Sequence, residues 1–256
     1  MSNQETDVYL FQPKQTIHLN QKYKLRIVEV KRQSPQIKTN YVNYQYSDGN
    51  KDTRSVFDTF VISLECRFYT HDNQDYHVKL DEYFEDLFIR DPYYLWHSKT
   101  PGKRYLVHPV PFEAERYSAG NSKFTLNFEV FPGHSESLGT TLSPFTLESE
   151  EWQIGQGVLA EDHQYIHTKN HIQIYNGGSF EINPRMHELK ITIQTYSQGG
   201  FKLTNRTTGE MFKFNDNERL YDTDTVVIDG SKIYKNGIRC GRLTNLGLIS
   251  LAPGMN

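Results

Sequence analysis

Residues 55–69 alternate in character: Val56, Phe60, Ile62, Leu64, Cys66 and Phe68 fall on one face, Thr59, Ser63, Glu65 and Arg67 on the other. A period of two marks a β-strand with one packed face and one wetter face. Phe124, Leu126, Phe128 and Val130 repeat that period within 123–131. Further strands are expected at 24–30, 93–97 and 104–112. Pro109 and Pro111 place the last of these at an edge or a bulge, because neither can donate to a ladder. Between 75 and 89 the period changes: Tyr76, Leu80, Tyr83, Phe84, Leu87 and Phe88 recur at threes and fours, the stripe of one helix face. Asp72 and its neighbours offer a cap in front of this helix, and Asp91-Pro92 ends it. The stripe reads as a core face rather than a cofactor site.

Two stretches of this half bury little. Residues 1–22 are polar, with Leu10, Phe11, Ile17 and Leu19 as isolated apolar points, and are expected as a loosely held arm or an edge strand. Residues 34–52 carry Tyr41, Tyr44 and Tyr46 and an Asp48-Gly49 turn. They read as a polar hairpin that lies on its domain or reaches across to a neighbour. The first half is thus α+β, one helix laid on an antiparallel sheet.

Pro132, Gly133 and Gly139 stand among serines and threonines, a composition that cannot pack a core and suits a connector. Phe145, Leu147 and Trp152 then offer themselves to a new core. The expected layout is a first domain over 1–133, a linker over 134–143 and a second domain over 144–256. In the second, short apolar runs (171–175, 180–182, 189–193, 201–203, 211–214, 226–228, 232–234) alternate with turn signals such as Asn176-Gly177-Gly178, Gly199-Gly200, Asp229-Gly230 and Asn236-Gly237. Many short strands at this spacing, with no helical period, indicate a β-sandwich or jelly roll. The fold class is mainly β.

Composition narrows the function. Hydrophobic residues are 36% and charged residues 23% of 256, within the range of globular proteins. Aromatics reach 13%, with 17 Tyr and 15 Phe, which favours β-structure and extended contact surfaces. The formal charge of −3, with no basic tract, argues against clamping a phosphate backbone and against sequence-specific nucleic-acid binding. No run of 18 apolar residues and no basic-then-apolar leader is present, so neither a membrane partner nor a signal peptide is expected, and synthesis in the cytosol is. Cys66 and Cys240 read as buried free thiols.

Candidate chemistry is thin. His163, His167 and His171 stand four apart and would align as metal ligands on a helix, but their neighbours suit a strand and a loop, and no Cys or carboxylate completes a zinc set. Gly155-Gln156-Gly157 lacks the strand, helix and lysine of a phosphate loop. Glu148, Glu150 and Glu151 resemble a catalytic carboxylate pair only in spacing, and no G-x-S-x-G elbow occurs. Asn205-Arg206-Thr207 has the form of a glycosylation sequon, relevant only in a secretory setting. No catalytic, metal or cofactor-binding residue is assigned, and an enzyme is not expected.

Several motifs carry a family resemblance. They are Ser137-Leu138-Gly139-Thr140-Thr141, Phe145-Thr146-Leu147-Glu148-Ser149-Glu150, Trp152-Gln153-Ile154-Gly155-Gln156-Gly157, Ile174-Tyr175-Asn176-Gly177-Gly178 and Leu203-Thr204-Asn205-Arg206-Thr207-Thr208-Gly209. The closing run is Ile249-Ser250-Leu251-Ala252-Pro253-Gly254-Met255-Asn256. With these the chain resembles the distal tail proteins of long-tailed phages of Gram-positive bacteria, most strongly in its second half. The resemblance implies a ring-forming first domain and a galectin-like β-sandwich second domain. It also implies six copies in a hub of the virion tail tip or baseplate, assembled in the host cytoplasm. That hub joins the tail-tube protein to the tail-associated protein and, in many phages, to receptor-binding proteins. Members of the family often continue past the Pro-Gly signature into a further edge strand, whereas this sequence stops at Asn256, so that edge is covered differently or the chain is shortened. The second reading is a carbohydrate-binding module for host cell-wall glycan, with Trp152 as the stacking aromatic; the plainer role for Trp152 is a core or junction anchor.

Overall fold

The computed structural model describes residues 6–46, 48–118, 121–143 and 163–256. The chain divides into two compact units, Met1–Gln153 and Ile154–Asn256. It is mainly β. Among the described residues no helix is long and apolar enough to cross a membrane.

The first unit holds strands β1 (Val8–Phe11), β2 (Thr16–His18), β3 (Arg26–Arg32), β4 (Ile37–Asn43), β5 (Asn50–Phe57), β6 (Phe60–Tyr69), β7 (Tyr93–His97), β8 (Lys103–Val110), β9 (Glu115–Ser118), β10 (Asn121–Val130) and β11 (Glu136–Ser137). Its helices are α1 (Leu19–Tyr23) and α2 (Asn73–Leu87). One antiparallel sheet runs β2-β1-β7-β8-β10-β6-β3, with β11 beside β8 and β9 beside β10; among the described residues β4 and β5 pair only with each other.

The pair β6–β10 is its centre. Cys66 faces Phe124, Leu64 faces Leu126, Ile62 faces Phe128 and Phe60 faces Val130. All eight are buried, so the alternation written in both stretches meets in register on one face. Helix α2 closes that face: Tyr76, Tyr83 and Leu87 are buried, and the Tyr83 ring sits 5.9 Å from Phe124 and 4.6 Å from Tyr23. The Asp72 side chain caps the helix, accepting from the Asp75 N–H at 2.8 Å, and Asp75 pairs with Lys79 one turn on at 2.8 Å. Two hydrogen bonds, the Lys79 side chain first and the His71 N–H second, hold the Asp75 carboxyl below its ordinary range.

Four expectations are sharpened or corrected. Of the two forms expected for 1–22, the described residues 6–22 take the edge strand, not the loose arm: β2 is the edge of the sheet, β1 lies between β2 and β7, and Val8, Leu10, Ile17 and Leu19 are buried. The strand expected over 55–69 is two strands, because Asp58 and Thr59 interrupt it and Val56 leaves the packed face, 42% exposed. Strand β8 is interior, not an edge. Residues Arg104 to Val107 pair with β7 and His108 to Val110 with β10. Since β7 ends opposite Val107, the N–H that Pro109 lacks has no β7 partner to miss. Finally, residues 134–143, expected as a connector, are in part tied to the first unit. Glu136 and Ser137 pair with Arg104 and Lys103, Leu138 N–H donates to the Gly102 carbonyl at 3.4 Å, and Arg104 meets Glu136 at 3.3 Å.

The second unit contains β12 (Tyr175–Asn176), β13 (Lys190–Gln194), β14 (Phe201–Thr204), β15 (Met211–Phe214), β16 (Thr225–Asp229), β17 (Lys232–Lys235), β18 (Ile238–Arg239) and β19 (Gly254–Met255). A four-stranded sheet β13-β16-β17-β18 and the pair β14–β15 share one core of Phe212, Phe214, Val226, Ile228, Ile233 and their neighbours. The short, turn-separated strands expected here thus form several small sheets around one core.

Candidate functional site

The feature of the first unit that packing leaves unexplained is the hairpin β4–β5. It is a prolongation of β3 and β6 rather than a separate element. Past Arg32 the Gln33 N–H donates to Val61 O, and the Asp58 N–H donates to Gln36 O, both at 2.9 Å. The Gln33 side chain also accepts from Val61 N–H at 3.1 Å. The ladder resumes with Ile37 opposite Phe57 and runs to Asn43 opposite Asn50, with a bulge at Asn40/Tyr41. Seven residues of strand reach about 24 Å at ~3.4 Å per residue.

Both faces of this arm are open. Ile37, Tyr41, Phe57 and Tyr46 are 64%, 63%, 56% and 98% exposed. An isolated two-stranded ribbon is marginal in water; here it displays an apolar cross-strand pair at its root and tyrosines toward its tip. At the root, Gly133 adopts φ +75, and a Cβ there would lie 2.8 Å from the Asp58 carbonyl, so only glycine lets residues 131–134 pass so close. A groove of about 450 Å³ opens beside the root, lined by Lys31, Arg32, Gln33, Val61, Ser63, Val110 and Asn127. Lys31 bonds Glu65 and lies 3.2 Å from Glu29; the Glu65 bond above all, then that to Glu29, raises its pKa.

In the second unit the resemblance motifs converge. Buried Asn176 donates to Phe180 O and Leu251 O, both at 3.0 Å, and accepts from Gly178 N–H. Buried Asn205 donates to Ser250 O at 2.8 Å and to the Asn256 side chain at 3.1 Å, and accepts from Thr207 N–H. Asn256 N–H and Ile174 O lie 2.9 Å apart, and the reverse bond spans 3.0 Å. Glu210 accepts from the Ser250 hydroxyl at 2.6 Å. Three planar amides and one carboxylate therefore fasten the closing segment 249–256 to two loops, satisfying polar groups that burial would otherwise strand.

The remaining sequence candidates fall as follows. His163, Tyr165 and His167 are partly buried in an extended run while Gln164, Ile166 and Thr168 are exposed. His163 stacks on Tyr175 at 4.1 Å, and His171 is exposed. An extended run does not gather residues spaced by four, so these histidines form no triad, and no group of three metal-ligating side chains occurs among the described residues. The amide nitrogen of Asn205 is occupied inside the fold, which removes the sequon from use. Cys66 and Cys240 are buried and free, and burial pushes the Cys66 thiol up to about 12. Glu148, Glu150, Glu151, Trp152 and Gly155 to Gly157 lie outside the described residues. Sequence reasoning missed the apolar root of the arm, since Val56 and Phe57 read as part of the core strand. The signal that could have marked the departure is Asp58, a polar residue at a packed-face position, beside Phe57, an apolar residue at a wetter-face one.

Residues 12–130 match the phage tail protein RIFT-related domain. No curated protein sequence matches the chain. Over 97% of its length it is similar in structure to the SPP1 Dit protein, described as a paradigm of the hub adsorption apparatus in phages infecting Gram-positive bacteria. The match covers 93% of that chain, with TM-score 0.61 and 13% identity. A chain of the phage p2 baseplate in its activated conformation matches with TM-score 0.46 and 9% identity over 98% of this chain and 93% of that one. The whole-chain likeness is one of fold, and it agrees with the resemblance that the motifs carry.

Proposed function

We propose that this protein is the hub of a phage tail tip. Its copies close into a ring, six being the number the resemblance implies, and each copy lays its β4–β5 arm on the next. The first unit makes the ring and meets the tail tube, and the second, galectin-like unit serves the tail-associated and receptor-binding proteins. The observation that carries this reading is the arm itself, a ribbon continuous with the sheet edge, about 24 Å long, whose exposed Ile37–Phe57 pair and tyrosines find no cover among the described residues of their own unit. A head-to-tail contact of this kind closes into a ring when the rotation per copy permits.

Native mass spectrometry of the full chain, beside a variant in which residues 38–56 are replaced by an Asn-Gly turn, tests it. The two-residue turn closes Ile37 onto Phe57 in the geometry such hairpins prefer. The full chain is expected as a closed ring and the variant as a folded monomer. A full chain that stays monomeric at high concentration and in the particle, or a shortened variant that still closes, overturns the reading.

A further inference from the structure

A surface patch of the second unit has the inventory of a sugar site. Ser197 and Leu220 form an isolated antiparallel bridge, Ser197 N–H to Leu220 O at 3.0 Å and Leu220 N–H to Ser197 O at 2.8 Å. Leu220 points into the core. The flanking residues therefore point the other way, Tyr196 beside Tyr221 and Gln198 beside Arg219, since cross-strand neighbours share a face. The two tyrosines are 53% and 50% exposed. Gln198 Nε2 and the Arg219 guanidinium approach the Tyr196 hydroxyl at 3.3 and 3.4 Å. The Arg219 guanidinium stands 5.0 Å from the Tyr221 ring centre.

The corner that carries these side chains is fixed. Gly200 has φ +59, and a Cβ on it would fall 2.2 Å from Phe214 O. The Gly200 N–H donates to Glu218 O at 2.7 Å. Beyond Tyr221, its N–H donates to Asp224 at 2.9 Å, and Asp224 is held by Lys235 and by Asn236. A set of outward groups on a locked backbone loses little freedom when a ligand binds.

We propose that Tyr196, Tyr221, Gln198 and Arg219 form a binding site for a neutral saccharide. A pyranose ring presents a C–H face that an exposed tyrosine can cover, and an edge of adjacent hydroxyls that an amide and a guanidinium can each engage through two parallel bonds. The Arg219 guanidinium is engaged by the Tyr196 hydroxyl and the Tyr221 ring, and the Asp222 carboxylate acts on the same Tyr196, so an anion such as a phosphate or a nucleic acid meets a negative charge here and a neutral sugar does not. The proposal is independent of the ring, and its failure leaves the hub reading intact.

Saturation-transfer difference NMR on the full chain, with lactose, maltotriose and chitotriose as separate probes, tests it. At least one probe is expected to receive saturation on its ring protons. Tyr196→Ala, Tyr221→Ala and Arg219→Met should each weaken that probe about tenfold, a loss common for a central contact. Tyr196→Phe, which keeps the ring, should weaken it less, and Lys202→Ala should leave it unchanged. Melting curves that match the parent show that the fold is kept. No saturation on any of the three sugars overturns the proposal, as does unchanged affinity in both tyrosine variants. So does a co-purifying tail protein that is released by Tyr196→Ala while no sugar binds, which makes the patch a protein contact instead.

Discussion

The ribbon formed by β3–β4 and β5–β6 is one pair of strands with two fates. Its inner half, 60–69, buries every second side chain: Phe60, Ile62, Leu64, Cys66 and Phe68 are at most 5% exposed. Its outer half, 50–57, keeps Val56 and Phe57 at 42% and 56%. Both halves are hydrogen-bonded ladders with the same period. Backbone pairing is therefore satisfied equally, and the difference lies in what covers the side chains. Inside, β10 and α2 do so; outside, the described residues of the same unit do not. Burial, not strand geometry, separates the part that stabilises from the part that stays open.

The largest expected effect falls on the covered half. Phe128, opposite Ile62 and fully buried, should cost ~3–5 kcal/mol on truncation to alanine, read by urea unfolding. A loss below about 1 kcal/mol, the typical effect of an arbitrary substitution, would break the contrast.

A smaller loss is expected from acid. His97 is buried on β7, and burial first, then the charges of Arg32 and Lys99, lowers its pKa from an ordinary 6.5 to about 4. The unfolded chain takes up that proton near 6.5 while the folded chain resists it to about 4. Stability is therefore fully present above 6.5 and is lost as pH falls through that window, by about 3 kcal/mol. Melting temperatures of the parent and His97→Gln between pH 7 and 4 check this; the variant's curve should be flatter, and parallel curves would remove His97 as the cause.

The smallest effect on stability, and the sharpest test of the comparison, is Phe57→Ala in the arm. It should move the unfolding free energy by no more than ~0.5 kcal/mol, as exposed positions do, while lowering the yield of closed rings in native mass spectrometry. A monomer-level loss comparable to Phe128→Ala would mean that the arm packs on its own unit.

This comparison also marks how far the sequence is legible. Alternation in 60–69 and 123–131 and the threes and fours of 73–87 each report a side chain's burial within one element, and those elements form as written. Asp58, a polar residue at a packed-face position between Val56 and Phe60, marks the break, but alternation cannot report that the strand leaves its sheet there, because Val56 resumes the apolar phase beyond it. Short elements misled for a related reason. Val8, Leu10, Ile17 and Leu19 look isolated in sequence, yet β1 and β2 set them side by side with β7. The convergence of Asn176, Asn205 and Asn256 is likewise invisible in a linear reading, since it depends on loops 75 residues apart meeting. Of the motifs that carried the resemblance, those at 174–178, 203–209 and 249–256 fasten the second unit to itself.

The continuity of arm and sheet has a mechanical consequence. Ladder bonds lie across the strands, so tension along the arm shears them together instead of peeling them one by one. Strand β6 is held on both sides, by β10 over residues 60–69 and by β3 from Arg32 back to Arg26. A pull on Phe57 is thus divided at once among the bonds on both flanks of β6, and the arm can serve as a tether for load as well as a clasp.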